Sequence, residues 1–111
     1  MTIITRKRGD TYAETIIVVT AGTTTPIDVT GCTFLLTVDP AKAPADNTNN
    51  LFDIVGTILD APAGEVEFAP SALDADQLPG TYYYDIQMTD GAGRVRTVAL
   101  DKWVVTQDIT K

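Results

Sequence analysis

Apolar residues recur mainly at every second position along this chain, the period of a strand with one buried face. Cys32, Phe34, Leu36 and Val38 alternate with Thr33, Leu35 and Thr37, and Val66 and Phe68 alternate with Glu65 and Glu67. Tyr82, Tyr84, Ile86 and Met88 share one parity of a longer run, which leaves Tyr83 outside. Tyr12 to Thr20 reads YAETIIVVT, where consecutive β-branched apolar residues require cover on both faces. Leu51 to Leu59 sets Phe52, Ile54 and Ile58 on one face, and Gly56 marks a bulge or a break into two shorter strands. Ile3 and Ile4 open an edge strand or terminal arm able to pair with a neighbouring chain.

Turn chemistry separates these runs. Asp39 to Asn50, DPAKAPADNTNN, can neither pack nor pair and reads as a surface loop. Pro70 to Leu78 predicts one helical turn, capped by Ser71, anchored by Leu73 and Leu78, and ended by Pro79-Gly80. Asp90-Gly91-Ala92-Gly93 then reverses the chain into Arg94 to Val105. A four-residue turn places Met88 opposite Val95 and Ile86 opposite Thr97, with Arg96 diagonal to Asp85 on the outer face. Parity changes along the second strand, from Val95 and Thr97 to Val98 and Leu100 and back to Trp103 and Val105, so a bulge is expected near Ala99 to Asp101. Seven to eight short strands and no helix longer than a turn or two predict an all-β, immunoglobulin-like antiparallel β-sandwich, one domain over residues 1–111.

Composition narrows the chemistry. A 111-residue chain with 44% apolar residues is large enough to bury one core without disulfides or metal. The lone Cys32 lies in an alternating run and reads as a buried, inert thiol. With no histidine, the commonest general base and transition-metal ligand are both missing. The chain therefore reads as a non-enzyme with no cofactor, metal or small-molecule substrate. A formal charge of −7 would repel a phosphate backbone. MTIITRKRGD lacks the apolar core of a signal peptide, and no window reaches the length of a membrane span. Neither nucleic acid nor membrane is an expected partner, and a complete domain made in a cytoplasm is the expectation.

Few motifs rise above turn or surface chemistry. Arg8-Gly9-Asp10 matches an adhesion tripeptide but lies between two strands, where a turn explains it. Asp74, Asp76 and Asp60 lack the glycine-centred loop and bidentate glutamate of a calcium site. Tyr82 follows a helical turn at the penultimate strand, as in the tyrosine corner of sandwich domains. Arg6-Lys7-Arg8 is either a solvated end or a positive patch suited to an acidic neighbour. The strongest signal is a surplus of apolar residues on second faces, Ile17, Val19, Leu35, Val98, Leu100 and Val104, which points to assembly unless a bulge shifts the parity.

In order, RGDTYAETIIVV, PIDVTGCTFLLTV, VGTILDAPAGEVEF, LDADQLPGTYYYDIQMTDGAGRVRT and WVVTQDI resemble the immunoglobulin-like domain of bacteriophage tail and baseplate proteins, such as the N-terminal domain of baseplate upper proteins. The resemblance covers nearly the whole chain and is most specific at Gly9-Asp10, Asp28-Val29-Thr30-Gly31, Gly64-Glu65-Val66 with Phe68, and Leu78-Pro79-Gly80-Thr81-Tyr82. It implies a non-enzymatic module that attaches components of a virion and assembles into symmetric oligomers. Without an appended fibre or receptor-binding domain, the chain is expected to be a small virion subunit, in the tail, baseplate, neck or capsid, whose partners are other virion proteins and copies of itself. The alternative is a carbohydrate-binding or host-adhesion module using loops around Tyr83, Asn47, Asn49 and Asn50.

Overall fold

The computed structural model describes residues 3–20, 22–41 and 50–106, the side chains of residues 72 and 73 excepted. The described strands are β1 (Ile4–Lys7), β2 (Glu14–Ile17), β3 (Thr33–Asp39), β4 (Phe52–Val55), β5 (Thr57–Asp60), β6 (Glu65–Phe68), β7 (Gly80–Thr89) and β8 (Val95–Thr106). They form a five-stranded sheet in the order β1-β8-β7-β3-β4 and a three-stranded sheet in the order β2-β6-β5. Between β6 and β7 lies one turn, α1 (Ala72–Ala75), closed by a 3.0 Å bond from the Ala75 amide to the Ser71 carbonyl. The Ser71 hydroxyl accepts from the Asp74 amide at 3.1 Å.

The two sheets face each other across one apolar core. Alternation turns Phe34, Leu36 and Val38 of β3, Tyr84, Ile86 and Met88 of β7, and Val66 and Phe68 of β6 inward, all buried. Trp103 is met edge-on by Phe52 at 5.8 Å and by Tyr84 at 6.2 Å between ring centroids. Burying one such aromatic or branched side chain contributes about 1.5–3 kcal/mol, so this face supplies most of the driving force for the fold.

Gly56 marks a break rather than a bulge, because there the chain leaves β4 in the large sheet and enters β5 in the small one. A Cβ at Gly56 would lie 2.8 Å from Phe34 Cβ and 2.9 Å from Phe68 and Val66, so the crossing needs a residue without a side chain. Gly64, at φ +67°, turns β5 into β6 under the carbonyls of Val18 and Ile27, which a Cβ would approach to 2.7 and 2.8 Å.

The expected pairings are met in part. The N-terminal strand is an edge strand of the large sheet, the first of the two readings of its sequence. It lies parallel on the end of β8, with Ile4 opposite Trp103 and Lys7 opposite Thr106, and every other strand pairing among the described residues is antiparallel. The closing hairpin runs in a different register, with Met88 facing Arg96, Ile86 facing Ala99, and Leu100 rather than Arg96 beside Asp85. Asp90 causes the difference. Its amide donates to the Arg94 carbonyl at 2.9 Å and its Oδ1 accepts from the Ala92 and Arg94 amides, so the turn includes Arg94 and first pairs Thr89 with Val95. The register then shifts at Val98, earlier than Ala99 to Asp101.

Candidate interaction surface

The basic triplet does not form an exposed patch. Alternation in β1 turns Arg6 inward beside Trp103, where it is only 3% exposed. Its guanidinium donates to Glu14 Oε1 at 2.9 Å, to the Asp10 carbonyl at 2.9 Å and to the Tyr12 carbonyl at 2.6 Å. It also lies 3.9 Å from the centre of the Tyr12 ring. Arg6 is therefore a clamp that holds residues 10–14 against β1, and is unavailable to an acidic neighbour. Arg8 is half-buried and its Nε reaches Asp76 Oδ1 at 2.9 Å, while the Asp10 amide closes back on the Lys7 carbonyl. Within the triplet, Lys7 stands exposed.

The apolar second faces divide into separate places. Leu35, Leu100 and Val104 lie on the outer face of the large sheet, where Leu35 meets Val55 and Leu100 meets Asp85. Val104 is half-buried between Thr5 and Thr81, and Gln87 lies between Leu35 and Thr97. Ile17 and Val19 belong to the outside of the small sheet, on the opposite side of the core. Val98 departs from expectation, because the turn extended to Arg94 gives it the inward parity of Arg96, and it packs against the core. The second-face residues therefore form no single contiguous patch.

The loops proposed for glycans offer little free polar surface among the described residues. The Asn50 amide donates to Asp39 Oδ2 at 2.7 Å, and Asp39 Oδ1 accepts from the Ala41 amide at 2.7 Å, so both side chains hold the start and end of that loop together. Tyr83 is half-buried opposite Asp39 and Lys102. Asn47 and Asn49 lie outside the described residues, as do residues 42–49 of that loop and residues 107–111.

Alternation could not reveal a further feature, a cleft between the two sheets. β1 pairs only with Trp103–Thr106, so the first half of β8 has β7 on one side and no described strand on the other. Across the gap runs β2, itself the edge of the small sheet. Between them opens a cleft of about 780 Å³ floored by Ile16, Val18, Met88, Val98 and Ala99. Glu14 and Ile4 mark one end, and Arg96 and Val19 mark the other. Arg96 is exposed and makes no ion pair among the described residues.

Shifted acidities follow the same structural pattern. Thr30, through its hydroxyl and its amide, lowers the Asp28 carboxyl, and the Arg94 amide does most to lower Asp90. Burial raises the Asp85 carboxyl and the Tyr84 phenol, with Asp101 and Glu14 adding to the latter. Each shift follows from a turn bond or from packing. Among the described residues there is no cluster of three metal-ligating side chains. No protein-family model matches this chain, and no curated protein is significantly similar to it.

Proposed function

We propose that the chain is an immunoglobulin-like β-sandwich and a non-enzymatic structural subunit of a bacteriophage virion, in the tail, baseplate, neck or capsid, working through contacts with virion proteins and with copies of itself. The fold reading is supported by the split of strands into β1-β8-β7-β3-β4 and β2-β6-β5, with the first strand parallel to the last. A short turn before β7 and the 2.7 Å bond from the Tyr82 hydroxyl to the Leu78 carbonyl match a tyrosine corner. The phage assignment rests on the resemblance in the turn and core phrases.

The observation that carries the assembly reading is the open cleft between β2 and β8, where two strand edges flank apolar core residues. An isolated sandwich gains nothing from leaving such surface in water, whereas an interface gains the burial. Affinity capture from a phage-infected lysate, using the tagged full chain, tests the assignment. Recovery of virion structural proteins in a fixed ratio is the expected result. Capture of none, together with specific binding on a glycan array, would replace it with the carbohydrate-binding reading.

A further inference from the structure

The geometry points to β2 as the edge through which a second copy of this chain docks, antiparallel about a two-fold axis passing by Ile17, an inference that rests on the assembly reading above. The direction of the main-chain groups carries it first. The Val18 amide donates to the Gly64 carbonyl and its own carbonyl accepts from the Ile27 amide, both at 2.9 Å, and the Thr20 amide donates to the Thr25 carbonyl at 2.9 Å. All of these bonds lie on the β6 side of the strand. Amides and carbonyls of alternate residues point to opposite edges, so those of Thr15, Ile17 and Val19 face the other way, where no described strand lies.

The edge is also unguarded. β1 carries Lys7 at its edge, β4 carries Asp53, and β5 has a register shift between Ile58 and Asp60. Each of these features discourages strand-to-strand pairing. From Thr15 to Thr20 the chain reads Thr-Ile-Ile-Val-Val-Thr, β-branched throughout, with no charge and no proline, and β2 pairs with β6 without a shift. Ile17 is 55% exposed beside it.

Charge selects a copy of the same chain as the occupant. A molecule of net charge −7 repels itself wherever carboxylates meet, and this edge presents none between Thr15 and Thr20. The charged residues lining the cleft alongside are Glu14 at one end, whose Oε1 also takes the Arg6 guanidinium, and Arg96 at the other, which makes no ion pair among the described residues, with the uncharged Thr15 and Thr97 also in the lining. A two-fold axis reverses one copy against the other, so each Arg96 approaches Glu14 of the second copy. With Ile17 opposite Ile17, Thr15 falls opposite Val19 of the second copy, all edge-facing main-chain groups pair, and Ile16 and Val18 stay on the inner face.

Sedimentation velocity of the full chain over a wide concentration range tests this. The wild type should form a two-chain species. Ile17→Lys and Thr15→Lys, both at exposed outward positions, should sediment as single chains with unchanged β-sheet circular dichroism, while Val55→Lys on β4 should keep the two-chain species. A wild type that stays single at every concentration overturns the inference, as does a two-chain species untouched by both β2 variants. Should those variants unfold, hydrogen exchange of the wild type decides: protection of the Ile17 and Val19 amides that rises with concentration supports the edge, and fast exchange throughout overturns it. Capture of virion proteins by a chain that stays single leaves the virion reading standing without the β2 edge, whereas a two-chain species that captures none overturns that reading alone.

Discussion

At the scale of single residues, Arg6 and Asp85 show how burial changes the role of a charge. Arg6 has its donors occupied by one carboxylate and two carbonyls, so truncating it leaves Glu14 and those carbonyls without a partner. Arg6→Ala should destabilise the protein by about 3–5 kcal/mol, and Arg6→Lys should recover only part of this because a single ammonium cannot serve the fork. Urea unfolding of the three proteins measures both. Asp85 works in the opposite sense. Burial raises its carboxyl, so the folded state holds that proton more tightly than the unfolded chain does, and stability falls as pH rises through the ordinary aspartate range to the raised folded value. Asp85→Asn should therefore raise the melting temperature at neutral pH and give no gain at acid pH below that range, and an equal gain at both would rule out this origin. Alternation made the buried Phe34, Leu36, Val66 and Ile86 legible in the sequence, because their burial follows from period alone. It misplaced Arg6, whose burial depends on carbonyls of Asp10 and Tyr12 that reach it only after the chain folds back.

At the scale of elements, strands were easier to read than the way they connect. The Gly56 break was visible as an interruption between two apolar pairs, but only the fold shows that the chain changes sheets there. Gly56→Ala should cost about 1–3 kcal/mol, since Phe34, Phe68 and Val66 would have to move, and the loss should appear as a lower urea midpoint with an unchanged slope. Gly64→Ala meets backbone carbonyls as well as an unfavourable positive φ, so it should cost more than Gly56→Ala in the same measurement. The hairpin register was misjudged by one residue because Asp90 extends the turn to Arg94, a local bond network that no hydrophobic pattern encodes. That displacement turned Arg96 towards the cleft and Val98 into the core, and so altered which residues are free to meet a partner.

At the scale of the whole molecule, two open edges flank one cleft, and the outer faces carry dispersed apolar residues rather than a large patch. The surplus of apolar second-face residues was legible in the sequence. Its division between Ile17 and Val19 on one side and Leu35, Leu100 and Val104 on the other was not, because sheet membership depends on long-range pairing. Under the proposed virion reading, a chain with these features should act in repeated copies, each contact small and multiplied by symmetry. If the proposed virion reading holds, quantitative mass spectrometry of purified particles of the source phage tests that directly. The chain should be present in a fixed, symmetry-compatible copy number per particle and should remain through further purification. Its absence from intact particles, with the protein recovered only in the soluble lysate, would contradict a structural role in the virion.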